Sequence, residues 1–220
     1  MKYLTRLSLL SLFMLTACHA GKPMTPEETG AMPYGEWGFA FFTPHELPAS
    51  VNFVTLLDEK QVHYTFRTLD SVQSNPSSVG KWFQRVSRYT QFNKARHPPL
   101  AIIFCWDSII DKKTYETHIT FSQATRDRMH APAGVDISGD TAWYDTMLFG
   151  LAPEGKVRVW LQTLKRIDNL PVQPEKLVTL SGSELRVCKN ITNHKKGYVH
   201  GYAQETKEFI KDKTYPYGEW

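Results

Sequence analysis

Cysteine is scarce in this 220-residue chain, which has three. So few thiols exclude a disulfide-dense miniature scaffold, and their separation lacks the paired spacing of a structural zinc site. The eight histidines never stand at i, i+2 or i, i+4, so no metal site can be read from local sequence, and no cofactor is expected. His45-Glu46 lacks a second histidine one turn on, because position 49 is Ala49. Gly-x-Ser-x-Gly is absent, which removes the nucleophile-elbow hydrolases, and no glycine loop is present to cradle phosphate. A net charge of +4 is too mild to argue for nucleic acid. With 22% charged and 13% aromatic residues, the chain is not mainly disordered.

What is there begins with an address. Lys2 and Arg6 precede an apolar run at residues 7–15, too short to span a bilayer but suited to a secretory signal. The run ends in Leu15-Thr16-Ala17-Cys18, which resembles a bacterial lipobox, so Cys18 is the expected lipidation site and would carry acyl groups such as palmitate. The alternative is a plain signal peptide cut near Ala17 or Ala20. Each buried acyl methylene adds ~0.8 kcal/mol of membrane affinity, so several chains on one cysteine anchor a protein lastingly. Residue 19 is His rather than the Asp of an inner-membrane retention signal, which points to the outer membrane, facing the periplasm. Removing residues 1–17 leaves 24 basic against 22 acidic side chains, and nucleic acid loses its last compositional support.

The expected organisation is a signal peptide at 1–17, a lipidated cysteine and flexible tether at 18–32, and one globular β-rich domain at 33–220. The tether reading rests on Gly21, Pro23, Pro26, Glu27, Glu28 and Gly30, with almost no apolar content between them. With Cys18 committed to lipid, Cys105 and Cys188 remain as an even pair in an oxidising compartment, which favours a disulfide over two buried thiols.

The domain reads as mainly β (α+β): an antiparallel sandwich or partly open barrel with one to three short peripheral helices. Residues 37–42 and 100–106 are apolar runs, the latter as in a strand buried on both faces, while 114–121 alternates. Hairpins are expected at 50–67, at 146–162 around Pro153-Glu154-Gly155, and at 177–189 around Ser181-Gly182-Ser183. Helices are expected at 77–91, behind Asn75-Pro76, and at 122–129 and 204–211. Pro-Tyr-Gly-Glu-Trp occurs twice, at 33–37 and 216–220, either as paired segments or as two independent aromatic plugs.

No catalytic residue emerges, although Glu116 and His118 share a strand face and keep a hydrolase reading open. Asp107 and Asp111 with Lys112-Lys113 read as a solvated charged turn. Aromatic residues are the stronger lead, since Trp, Tyr and Arg are enriched at binding hot spots. Trp160 beside Arg158, opposite the apolar face of Val157, Val159 and Leu161, is the candidate partner contact, with Lys195 and Tyr198 in a basic aromatic loop.

Taken together, several segments resemble a family of small Gram-negative lipoproteins carrying a domain of unknown function. They are the lipobox, residues 37–48, His97-Pro98-Pro99, Phe104-Cys105-Trp106-Asp107-Ser108, and the stretch from Gly150 to Leu161. Members are often encoded beside type VI secretion genes, and some look like immunity proteins that block a phospholipase or lipase effector. The resemblance therefore implies a non-enzymatic, membrane-anchored binder of a lipase-like toxin, with a structural envelope lipoprotein as the alternative. It supplies no catalytic motif and transfers no interface residue.

Overall fold

The computed structural model describes residues 32–163 and 168–220; Cys18, the lipobox and the tether as far as residue 31 lie outside them. The described strands are β1 (Trp37–Pro44), β2 (Ala49–Asp58), β3 (His63–Phe66), β4 (Gln73–Asn75), β5 (Gly80–Lys81), β6 (Lys94–Ala95), β7 (Pro99–Ser108), β8 (Lys113–Thr120), β9 (Pro132–Val135), β10 (Thr141–Trp143), β11 (Thr146–Ala152), β12 (Lys156–Gln162), β13 (Leu170–Val172), β14 (Lys176–Ser181) and β15 (Gly218–Glu219). Two short helices accompany them, α1 (Gln123–His130) and α2 (Gln204–Ile210). Both lie where the sequence predicts helices.

Two sheets face each other. The first runs β13-β12-β11-β1-β4, with β6 also on β1, and the second runs β14-β8-β7-β2-β3. Alternation dictates what each strand buries. Phe39 and Phe41 of β1, Phe149 of β11 and Phe104 of β7 point into the space between the sheets, where Phe41 lies 5.0 Å from Phe104 and 5.3 Å from Phe149 between ring centroids. Each such ring contributes ~1.5–3 kcal/mol by leaving water. The mainly β sandwich is thus as the sequence predicts, with one difference: the first sheet is mixed, because β1 runs parallel to both β11 and β4.

That placement makes β1 central and buries all of it. Its second face, with Phe42, joins Leu148 and Trp160 beneath Trp82, Val86 and Trp220. Gly150 makes the indole packing feasible, since a Cβ there would stand 2.6 Å from Trp82 and 3.0 Å from Trp160.

Two predicted elements are absent. Residues 77–91 form no helix, because side chains claim the amides that a helix would use. Ser77 N–H donates to Asn75 Oδ1, Phe83 N–H to Ser78 Oγ, and Arg88 N–H to Gln162 Oε1. The segment instead drapes Trp82 and Val86 over the first sheet. The third hairpin also fails: β14 pairs with β8, and residues 185–189 form no strand, being drawn onto the second sheet by Cys188 and Glu116. Met32, placed in the tether by the sequence, is fully buried in the core.

The repeated pentapeptides do not pair with one another. Trp37 is fully buried and its indole N–H donates to His97 O at 2.7 Å. Trp220 packs on Trp82 with centroids 5.2 Å apart, and β15 pairs with β5. They are two independent aromatic plugs.

Candidate partner-binding site

The β7–β8 hairpin carries the densest polar chemistry of the described residues. Inward positions Phe104, Trp106, Tyr115 and Ile119 belong to the core, so Cys105, Asp107, Glu116 and His118 face outward. An irregular arm, residues 182–199, crosses this outer face and is fixed there by a disulfide and two buried carboxylates.

Cys105 and Cys188 are bonded, with their Cα atoms 5.4 Å apart, as the sequence predicts. Directly across the ladder from Cys105, Glu116 is fully buried. Its Oε2 accepts the backbone N–H groups of Arg186 and Cys188, each at 2.8 Å, and its Oε1 meets His118 Nε2 at 2.5 Å. Burial alone would raise its pKa, but the Cys188 N–H, His118 and Arg186 N–H bonds prevail and hold the carboxyl below its ordinary value.

Asp107, also fully buried, has five donors. Oδ1 accepts from the hydroxyls of Thr114 (2.6 Å), Thr192 (2.8 Å) and Tyr198 (3.2 Å). Oδ2 accepts from the Asn52 amide (2.7 Å) and the Asn193 backbone N–H (3.0 Å). Burial and the nearby Asp107 push the Tyr198 phenol above its ordinary pKa. Asp111, in the hairpin turn, accepts from Tyr115 and Tyr215 hydroxyls and the Glu154 N–H. The solvated charged turn expected from sequence is therefore corrected: Asp107 and Asp111 are anchors for the C-terminal part of the chain.

This accounting limits the chemistry. Glu116 and His118 do meet, as their shared face suggests, but the carboxylate has no exposed surface and three donors occupy it. To act as a base it would have to release the arm. The thiol across the ladder, Cys105, is consumed by the disulfide. Among the described residues, no three His, Cys, Asp or Glu side chains converge as metal ligands.

The sequence-predicted contact residues do not form one surface. Trp160 is 1% exposed, donates its indole N–H to Gln84 Oε1 at 3.0 Å, and stands 5.4 Å from Trp82, so it is a core residue and not a partner anchor. Arg158 is exposed on the same side of β12. Lys195 is exposed, whereas Tyr198 is half-buried, stacked on His194 and bonded to Asp107. Arg158 and Trp160 therefore belong to the outer side of the first sheet, while Lys195 and Tyr198 belong to the arm on the second. Cys18 lies outside the described residues.

The anchoring role of Asp107 is not legible in the sequence, because all its partners but Thr114 lie far away along the chain. One signal was available, an aspartate directly following the apolar run 100–106. No curated protein and no solved structure matches the chain. A profile of proteins of unknown function, DUF2931, matches residues 20–218, and the chain belongs to that family.

Proposed function

We propose that the chain is a lipid-anchored periplasmic binding protein without catalytic function, and that it neutralises a lipase-type toxin. The observation that carries the binding reading is that the outward carboxylates of the β7–β8 hairpin, Asp107 and Glu116, are occupied by donors that shape the surface. They hold the arm in place rather than stand free as acids or bases. The Cys105–Cys188 bond suits an oxidising compartment. The lipobox at Cys18 supplies the anchor, and the resemblance to immunity-type lipoproteins supplies the toxin class. Occlusion of a toxin's active-site entrance needs no chemistry from the inhibitor, and tethering both partners at one membrane raises their effective concentration.

The test is to direct the product of the adjacent reading frame to the periplasm, with and without this chain. Protection of the cells and a complex stable to gel filtration are expected, together with palmitate labelling that Cys18→Ser abolishes. Absence of both complex and protection overturns the toxin reading, and co-purification with an envelope component would then favour a structural role.

A further inference from the structure

The arm covers only part of the second sheet's outer face. Phe53 lies opposite Cys105, Ile103 opposite His118, and Leu180 opposite Glu116, so these side chains share the outward direction that the disulfide fixes for Cys105. Leu57 and Val178 follow by alternation along β2 and β14. The result is an apolar floor in which Phe53, Leu57, Ile103 and Leu180 are half-buried and Val178 is 36% exposed. The first sheet's corresponding face, by contrast, is covered by Trp82, Val86 and Trp220.

The exposed charges that border this floor on the sheet are basic, while Asp70, which shares a cleft with Arg67, is tied to the backbone N–H groups of Gln91, Phe92 and Asn93. Arg67 stands at one border, its guanidinium 5.6 Å from the Phe53 ring centroid. His118, Lys176 and Arg186, with Val178 and Leu180, line a cleft of about 260 Å³ at the other border, where β14 forms the sheet edge. His63, on the same edge strand that leads into Arg67, is held by Thr55 Oγ1 at 2.7 Å. The outward carboxylates of these strands, Asp107 and Glu116, are both fully buried and already paired.

We propose that this bare half-sheet is the docking surface for a protein partner that presents an apolar projection edged by carboxylates. The inference rests on the binding reading above and names the surface that reading needs. An apolar centre inside a polar rim is the usual anatomy of a protein interface, and a mainly basic rim favours the opposite sign in the partner. The exposed Arg67, Lys176 and Arg186 stand around less exposed floor residues. A flat bilayer would meet those charges and leave the floor unmatched, whereas a projecting protein segment satisfies both.

The test is calorimetric titration of the purified product of the adjacent reading frame into wild-type protein and three variants. Lys176→Glu/Arg186→Glu is expected to weaken binding about 100-fold and Val178→Asp about 30-fold, the scale of interface hot spots. Arg158→Glu, on the opposite side of the sandwich, should change affinity less than about 3-fold, as for peripheral charges. Melting temperatures equal to wild type establish that each variant is folded, since all four positions are exposed. If wild type binds and the half-sheet variants bind equally well, or if Arg158→Glu removes binding, the surface assignment is overturned while the binding reading stands. If wild type does not bind, the binding reading falls and takes the assignment with it. In a Cys18→Ser background, retention on phosphatidylglycerol vesicles that Lys176→Glu/Arg186→Glu abolishes, with toxin affinity unchanged, would assign the face to the membrane and overturn the proposal.

Discussion

Replacing Asp107 with alanine removes the acceptor for five donors in one step. The three hydroxyls can rotate towards other acceptors or towards water. The Asn193 backbone N–H cannot, the half-buried Asn52 amide must leave its place to find another acceptor, and an orphaned donor costs about 1–3 kcal/mol. Adding the lost attraction of a charged acceptor gives a loss of about 4 kcal/mol, near the upper end for single substitutions. For a domain of this size that corresponds to a fall of roughly 8–16 °C in Tm. Asp107→Asn is the informative companion. Its single oxygen can keep both N–H donors while its new NH₂ donates to the hydroxyls of Thr192 and Thr114, so about 1–2 kcal/mol is expected. Because Cys188 stays bonded to Cys105, the damage should concentrate beyond residue 191. Amide hydrogen exchange should therefore accelerate there before global unfolding. The reasoning is refuted if Asp107→Ala melts within about 3 °C of wild type, if Asn costs as much as Ala, or if exchange at Asn193 is unchanged.

Three further predictions follow from the same geometry. Cys105→Ser/Cys188→Ser should lose about 4.5 kcal/mol in urea unfolding, the chain-entropy value for the sequence separation of 83, and equal stability would contradict it. Gly150→Ala should destabilise by about 1–3 kcal/mol through overpacking against Trp82 and Trp160, and a matching Trp82→Leu change should relieve part of that loss. Glu116 has its folded pKa below the ordinary 4.5, so its stabilisation is complete above that value and is lost as pH falls through the folded pKa. Unfolding midpoints measured from pH 6 downwards should therefore fall more steeply for wild type than for Glu116→Gln, and parallel curves would remove Glu116 from the acid response.

How much of this was legible in the sequence depended on where each residue's partner lies. The 146–162 and 50–67 hairpins were readable because period-two alternation and the Pro153-Glu154-Gly155 turn are local signals. Asn75-Pro76 misled: the same residues that begin a helix also make a side-chain turn, and Ser78 and Gln162 then divert the amides that follow. Trp160 misled because alternation identifies the face opposite Val157, Val159 and Leu161 but not whether that face is wet. Its cover comes from Trp82 and the irregular segment around it. The 177–189 hairpin failed because Glu116 takes the Arg186 and Cys188 amides, a contact across some seventy residues. Of the proposed contact surface, only single alternating residues could be read. That Phe53, Ile103 and Val178 become neighbours follows from sheet order, which local patterning does not encode.

The parallel pairing of β1 has a consequence for how the chain is made. Gly38 aligns with Thr146, so a strand buried along its whole length emerges during synthesis well before its central partner exists. Pairing so distant in sequence closes slowly, and an unpaired apolar strand is open to wrong partners in the interval. Residues 37–44 are therefore where a chaperone would do most to raise the yield of folded protein. Circular permutants that bring β11 next to β1 in sequence should refold faster than the natural order.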